Sequence, residues 1–555
     1  MNKTSKIDLS ADRLISIAAD AIEDHNYITA LKMLNKNAVL NGNDEDSFML
    51  YAEAFDDMEL YEKCVNGWFK YIDYAEDQAD FAEAYEGLAI SFMNMGQESF
   101  AAYYYNKLLM ETNVELSVEN RQEIISSFLS AEKKPLRFAY PPSLADYSQE
   151  LESGINFMRA NEYDSAIDEF SKVDEGNEKF LAARNYIAMC QIITDRCEQA
   201  EEECRAILRR NPADVQALTT LAAVKSQQKN SEEARELAQR LLSLNAQAPD
   251  DIYKIATVCC ENKMHAEAYG LFKKLESELA YDFSILFFRA ISAYNCGKTE
   301  ESLQTFDKLL TIYPNAITAE YWKAKVSEYA ALEPEEREEL EYFYRLPRDI
   351  SQTNLEFMSA FARLTDKMSK KLTEEADIES CIRWCFDEGE GNNSYELRLL
   401  GAACAVKAQL NDTVRDILLD AFLPDGIKME TLNELVQRND SGTYGVVVCN
   451  LYRRLTLFPL EIGRNKRKTF LRAYGMAFSR FAMLSENYSE LLNAAATKLY
   501  FKLESQDKLD EVRSVPALAA AIVRYSDIRE SGLTDENMLS FFGADAQKVS
   551  ALLGE

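Results

Sequence analysis

The stretch "NEYDSAIDEF", residues 161–170, returns in altered letters as "DRCEQAEEEC" (195–204), "KNSEEARELA" (229–238), "NKMHAEAYGL" (262–271) and "GKTEESLQTF" (297–306). Few letters are shared, but a small residue falls on a period of 34 at Ala166, Ala200, Ala234, Ala268 and Ser302. A second small column stands twelve residues earlier in each unit, at Gly154, Ala188, Ala222, Ala256 and Ala290. Small residues at both places let two helices of a pair cross closely. A third column, seven residues after the first, is apolar throughout: Val173, Ile207, Leu241, Leu275 and Leu309. Pro212 and Pro314, three periods apart, stand where the second helix must stop, because proline lacks the N–H that a helix interior needs.

These columns resemble the tetratricopeptide repeat family, bacterial in type, from about residue 11 to residue 330. The register extends backwards through Ala18 and Ala30, then Ala52 and Cys64, with Ala89 and Ala101 arriving three residues late. The resemblance implies an all-α chain: a right-handed α-α superhelix followed by an α-helical C-terminal domain. The expected division is repeats 1–3 over 11–115, a helix and proline-rich joint over 116–146, and repeats 4–8 with a capping helix over 147–332. An α-helical domain over 333–510 and a trihelical end over 511–555 follow.

Composition agrees with a helical, water-soluble chain. Of 555 residues, 47% are hydrophobic and 28% charged, with only 11 Pro and 19 Gly, too few turn formers for a mostly β protein. Apolar runs such as "ALAAAIV" are too short to span a membrane, and the N-terminus lacks a signal-peptide core. Eleven scattered cysteines imply a reducing compartment, so the expected location is the cytoplasm. A net charge of −32 opposes general binding to membranes or nucleic acid, which are polyanionic.

One helix pair cannot bury both of its faces, so pairs stack and leave a long groove lined by the first helix of each. The groove column is Met158, Met189, Tyr253, Phe287, Tyr294 and Tyr321, with Ile155 and Ile291. Relatives that clamp acidic chaperone tails carry Lys, Arg and Asn there; only Asn185 and Lys325 suit that task here. The column either packs against the chain's own C-terminal half or takes an external apolar peptide or helix. The expected function is therefore a non-catalytic protein-binding scaffold or adaptor.

Beyond "EPEEREELEYFYRLPRDI" the 34-residue beat stops, while helical periodicity continues. "TYGVVVCNLY" is a short β-like run that reads alternatively as a buried helix, since its neighbours are helical and no strand partner is evident. Residues 451–480 carry Arg453, Arg454, Arg464, Lys466, Arg467, Lys468, Arg472 and Arg480 against Glu461, a net charge of 8 − 1 = +7. This segment pairs with the acidic repeats, forms a solvated helix start, or contacts a polyanion, the last chiefly through Arg464, Lys466, Arg467, Lys468 and Arg472. The end, "GLTDENMLSFFGADAQKVSALL" (532–553), resembles a bacterial helix-turn-helix, with Leu533, Thr534 and Glu536 opening it and Gly543 at the turn. Its second helix offers only Gln547, Lys548 and Ser550 to DNA, with Asp545 opposing a phosphate. A nucleic-acid-linked regulator is thus the alternative function.

Catalytic signals are lacking. There is no glycine-rich phosphate loop or nucleophile elbow, and His25 and His265 stand in separate repeats. Cys381 and Cys385 share one helix face but have no further ligands in sequence for a zinc site. No enzyme activity, cofactor or metal is expected.

Overall fold

The computed structural model describes residues 9–75, 81–111, 147–375, 377–389, 394–485, 487–526, 528 and 534–554. The joint expected over 116–146 and Leu533 lie outside them. The chain divides into two compact units. One contains Met1–Leu129, Asn315–Ile317 and Arg345–Glu555; the other contains Ser130–Pro314 and Thr318–Tyr344. The first and last parts of the sequence therefore share a unit.

In the second unit, antiparallel pairs follow one another: α7 (Ser148–Arg159) with α8 (Tyr163–Phe170), α9 (Phe180–Ile193) with α10 (Cys197–Arg210), and α11 (Val215–Gln227) with α12 (Ser231–Ser243). Then come α13 (Pro249–Glu261) with α14 (His265–Glu276), α15 (Phe283–Asn295) with α16 (Thr299–Ile312), and the lone α17 (Ile317–Ala330). This is the tetratricopeptide arrangement. Both small columns are buried, and at Gly154 a Cβ would fall 2.4 Å from the Phe170 ring. The third column, Val173 through Leu309, is buried throughout.

Each pair turns through one left-handed residue: Asn161, Asp195, Lys229, Lys263 and Gly297, at φ 55° to 76° and 34 residues apart. After it, a backbone N–H reaches back to the preceding helix, as from Glu162 to Phe157 and from Lys298 to Ala293. That bond satisfies carbonyls that a helix end leaves open.

The first unit opens with three more pairs: α1 (Ala11–Glu23) with α2 (Tyr27–Leu40), α3 (Glu45–Asp57) with α4 (Tyr61–Tyr74), and α5 (Phe81–Asn94) with α6 (Glu98–Glu111). Their turns use His25, Glu59 and Gly96, the last three residues late, as the sequence register requires. The same unit continues with α18 (Arg348–Arg363), α19 (Asp366–Glu375), α20 (Ile378–Cys385), α21 (Tyr395–Ala408), α22 (Asn411–Leu419) and α23 (Asp425–Gln437). After a hairpin it closes with α24 (Arg467–Phe481), α25 (Tyr488–Ser505), α26 (Val515–Tyr525), α27 (Asp535–Phe542) and α28 (Ala546–Leu553). One apolar core runs through this region, from Phe361 and Ile382 to Tyr474, Leu499, Ile522 and Val549. The three terminal helices share that core rather than enclosing their own.

The hairpin decides between the two readings of one run. "TYGVVVCNLY" is not a helix: β1 (Thr443–Val448) pairs antiparallel with β2 (Leu451–Thr456), Val448 facing Leu451 and Thr443 facing Thr456. Cys449 and Asn450, at φ 51° and 57°, make the two-residue turn whose twist suits a hairpin. The strand partner was the next six residues, disguised by Arg453 and Arg454 as part of the basic segment. At Gly445 an added Cβ would lie 2.0 Å from the Asp73 carboxylate of α4, which would have to move aside. The Tyr452 hydroxyl donates to that carboxylate at 2.8 Å, and Arg454 donates to the Asp73 carbonyl at 2.5 Å. Lys63–Glu388 and Lys70–Asp416 ion pairs, and Asn66 bonded to Asp420 and to the Ala421 amide, extend this seam along α4. No helix among the described residues is long and apolar enough to cross a membrane.

Candidate functional site

The groove column of the second unit is not uniform. Met158, Met189, Tyr253 and Tyr321 are half-buried, whereas Phe287 (1% exposed), Tyr294 and Ile291 are buried. Met158 and Ile155 pack on the core of the first pair, Tyr253 lies edge-on to Phe272, and Tyr321 lies edge-on to Trp322. What covers Phe287 and Tyr294 is the chain itself. Residues 337–344 run extended across them, antiparallel to α15.

This strap is anchored from end to end. Arg337 donates to the Leu332 and Ala330 carbonyls at the end of α17. The Tyr294 hydroxyl donates to the Glu338 carbonyl at 3.0 Å, and Tyr329 donates to the Glu338 carboxylate at 3.1 Å. The Asn295 side chain donates to the Leu340 carbonyl at 2.9 Å and accepts the Leu340 N–H at 2.9 Å. Lys263 and His265 face the Glu339 carboxylate at 3.1 and 3.4 Å. The Tyr342 ring stacks on His265, with its hydroxyl 2.8 Å from Nδ1, and burial pushes the phenol up from its usual range. The Tyr344 ring meets Phe283 and Phe287 edge-on, each at 4.9 Å.

Phe287 and Tyr294, for which the sequence left open the chain's own C-terminal half or an external peptide, are thus covered by a segment of the chain just past α17. Asn185 and Lys325 do not form a carboxylate clamp: Asn185 bonds Asp214, and Lys325 pairs with Glu328. Asn295, His265 and the strap were not singled out from sequence. The available signal was apolar residues on a period of two at Leu340, Tyr342, Tyr344 and Leu346, alien to a helical chain.

The basic segment spreads over several environments in the first unit. Arg454 is held by Asp73, Arg480 pairs with Glu430 at 3.5 Å, and Arg467 donates to the Ile462 carbonyl at 2.9 Å. Arg464, Lys468 and Arg472 are exposed and Lys466 is half-buried. Among the described residues none of these four has an ion-pair partner. They surround the start of α24.

At the C-terminus, Thr534 caps α27, Gly543 makes the turn at φ 61°, and Asp545 caps α28 by accepting the Lys548 N–H. Asp545 therefore occupies the helix end that an incoming phosphate would need. Val549 and Leu552 are buried, and Lys502 donates to the Leu553 carbonyl at 2.7 Å. Cys381 lies near Asn354 and Cys385 against Met358; burial raises both thiols.

No protein-family model matches the sequence, and no curated protein matches it. Solved structures of similar build include yeast Tom70, 13% identical, covering 96% of this chain and 95% of that one, with a TM-score of 0.29. A tetratricopeptide repeat protein from Parabacteroides merdae is 16% identical, with 54% and 98% covered and a TM-score of 0.28. The human IFIT1 dimer with PPP-AAAA is 13% identical, with 89% and 96% covered and a TM-score of 0.27. These scores are too low for a common overall arrangement.

Proposed function

We propose that this chain is a cytoplasmic, non-catalytic scaffold that takes a peptide or helix of a protein partner in the groove of its central repeats. One observation supports the reading: α15 and the start of α14 already hold a segment of the chain, Asn295 bonding its backbone and Phe283, Phe287 and His265 contacting its side chains. Met158, Met189, Tyr253 and Tyr321 are half-buried in the same column and remain candidates for an external partner. Adaptable Met and Tyr side chains suit such a surface.

The test is a photocrosslinking residue at Met189 or Tyr253, with the exposed Arg235 on α12 as the outer-face control. A partner identified from the two groove positions, and lost in the Met189→Ala, Tyr253→Ala double variant at unchanged melting temperature, is the expected result. A partner that crosslinks equally from Arg235, or survives the double substitution, overturns the reading.

A second reading is supported by the four unpaired basic residues around α24: contact with a polyanion in a nucleic-acid-linked regulator. Titrating duplex DNA into the full chain tests it. Affinity that falls with salt at a log–log slope of about −0.9 per phosphate, and that Lys468→Glu with Arg472→Glu removes, would promote it over the scaffold. Absence of binding at low salt sinks it.

A further inference from the structure

Building on the scaffold reading, we propose that residues 337–344 are a built-in pseudoligand. The partner is then an extended peptide with apolar or aromatic side chains at alternate positions and acidic residues between them, and it enters by displacing the strap.

The strap has the form of a bound peptide. Leu340 is 2% exposed and Tyr342 and Tyr344 are half-buried, while Glu341 and Phe343 between them are exposed, Phe343 at 54%, and Glu339 at the edge turns its carboxylate to Lys263 and His265. That alternation is the period of an extended chain, which presents every second side chain to one surface. The surface beneath it supplies a matching set of receptors: Asn295 for the backbone, aromatic rings for the side chains, and Lys263 with His265 at the α13–α14 turn for a flanking carboxylate. Reading an N–H and a C=O of one residue with one amide side chain does not depend on the identity of that residue. Any extended peptide offers the same pair. The contacts at Leu340, Tyr342 and Tyr344 set the register instead.

The strap is also built to leave. The bonds that hold its backbone at Glu338 and Leu340 come from the Tyr294 and Asn295 side chains rather than from a helix or sheet ladder. Segments held this way open locally at less cost than helices do. Tethering at both ends gives the strap a high effective concentration, on the order of millimolar for a short connection. A free peptide of the same contacts must therefore bind the intact chain weakly and the emptied groove well.

The experiment uses the full chain and a fluorescent peptide of residues 337–346. In a variant carrying Leu340→Ala, Tyr342→Ala and Tyr344→Ala, the peptide is expected to bind at least about tenfold more tightly than to wild type, the intramolecular competitor being lost. Adding Asn295→Ala to that variant should remove the gain. So should moving the Leu and Tyr residues of the peptide by one position, because the side chains then face solvent. Should the triple variant fail to fold, amide exchange on wild type decides: saturating peptide must accelerate exchange across 338–344. Equal affinity for wild type and a folded triple variant, or strap exchange unmoved by peptide, overturns the proposal. The scaffold reading fails separately, through partner crosslinks that ignore Met189 and Tyr253.

Discussion

Asn295 and Leu340 close a ring of two hydrogen bonds, the amide of one side chain against the N–H and C=O of one backbone unit, both at 2.9 Å. Substituting Asn295→Asp keeps an acceptor for the Leu340 N–H but sets a carboxylate against its carbonyl. The Leu340 amide should then lose at least about tenfold of its exchange protection, corresponding to one to two hydrogen bonds. Far-UV circular dichroism should stay unchanged. Undiminished protection would show that the strap is held by its aromatic contacts alone.

Two glycines predict opposite signs for the same change. At Gly154 an added methyl meets the Phe170 ring at 2.4 Å inside the crossing of α7 and α8, so Gly154→Ala should cost ~1–3 kcal/mol by overpacking. At Gly270, exposed on α14 with nothing within 4 Å, Gly270→Ala should gain up to ~1 kcal/mol from helix propensity. Urea midpoints of the two variants against wild type check both.

The seam along α4 is tested at the hairpin. Gly445→Ala drives a methyl into the Asp73 carboxylate, which also accepts from Tyr452. Displacing that carboxylate should destabilise the first unit by ~1–3 kcal/mol through the partner it abandons. The matching Tyr452→Phe change removes one hydrogen bond and should cost ~1 kcal/mol. A larger loss for Tyr452→Phe than for Gly445→Ala would contradict this packing.

The pH dependence of the second unit has a named contributor. Lys225, itself buried, together with Arg205 and Gln228, holds the Glu201 carboxyl down at about 2, against an ordinary 4.5. A depressed carboxyl stabilises the fold fully above 4.5, and that stabilisation is lost as pH falls through about 2. Glu201→Gln should thus cost ~1–3 kcal/mol at neutral pH. The gap to wild type should narrow at pH 4 and again at pH 3. A gap independent of pH would assign the cost to packing.

The sequence by itself determined the helix pairs, because the residues that let two helices cross, Ala166 to Ser302 and Gly154 to Ala290, must be small and must recur with the repeat. It also determined the late third pair, whose turn at Gly96 falls three residues behind the period set by His25 and Glu59. The turns themselves were illegible: His, Glu, Asn, Asp and Lys all take the left-handed position, held there by the helices they join. Tertiary structure alone decided the hairpin, since the β-like "TYGVVV" could equally be a buried helix until Leu451–Thr456 lies beside it and Asp73 receives Tyr452. It alone decided, too, that Phe287 and Tyr294 are covered and Tyr253 is half-open. Local pattern nominates side chains on the first helices, but what lies over Phe287 depends on where a segment that begins about 50 residues further along the chain comes to rest, and no periodicity encodes that.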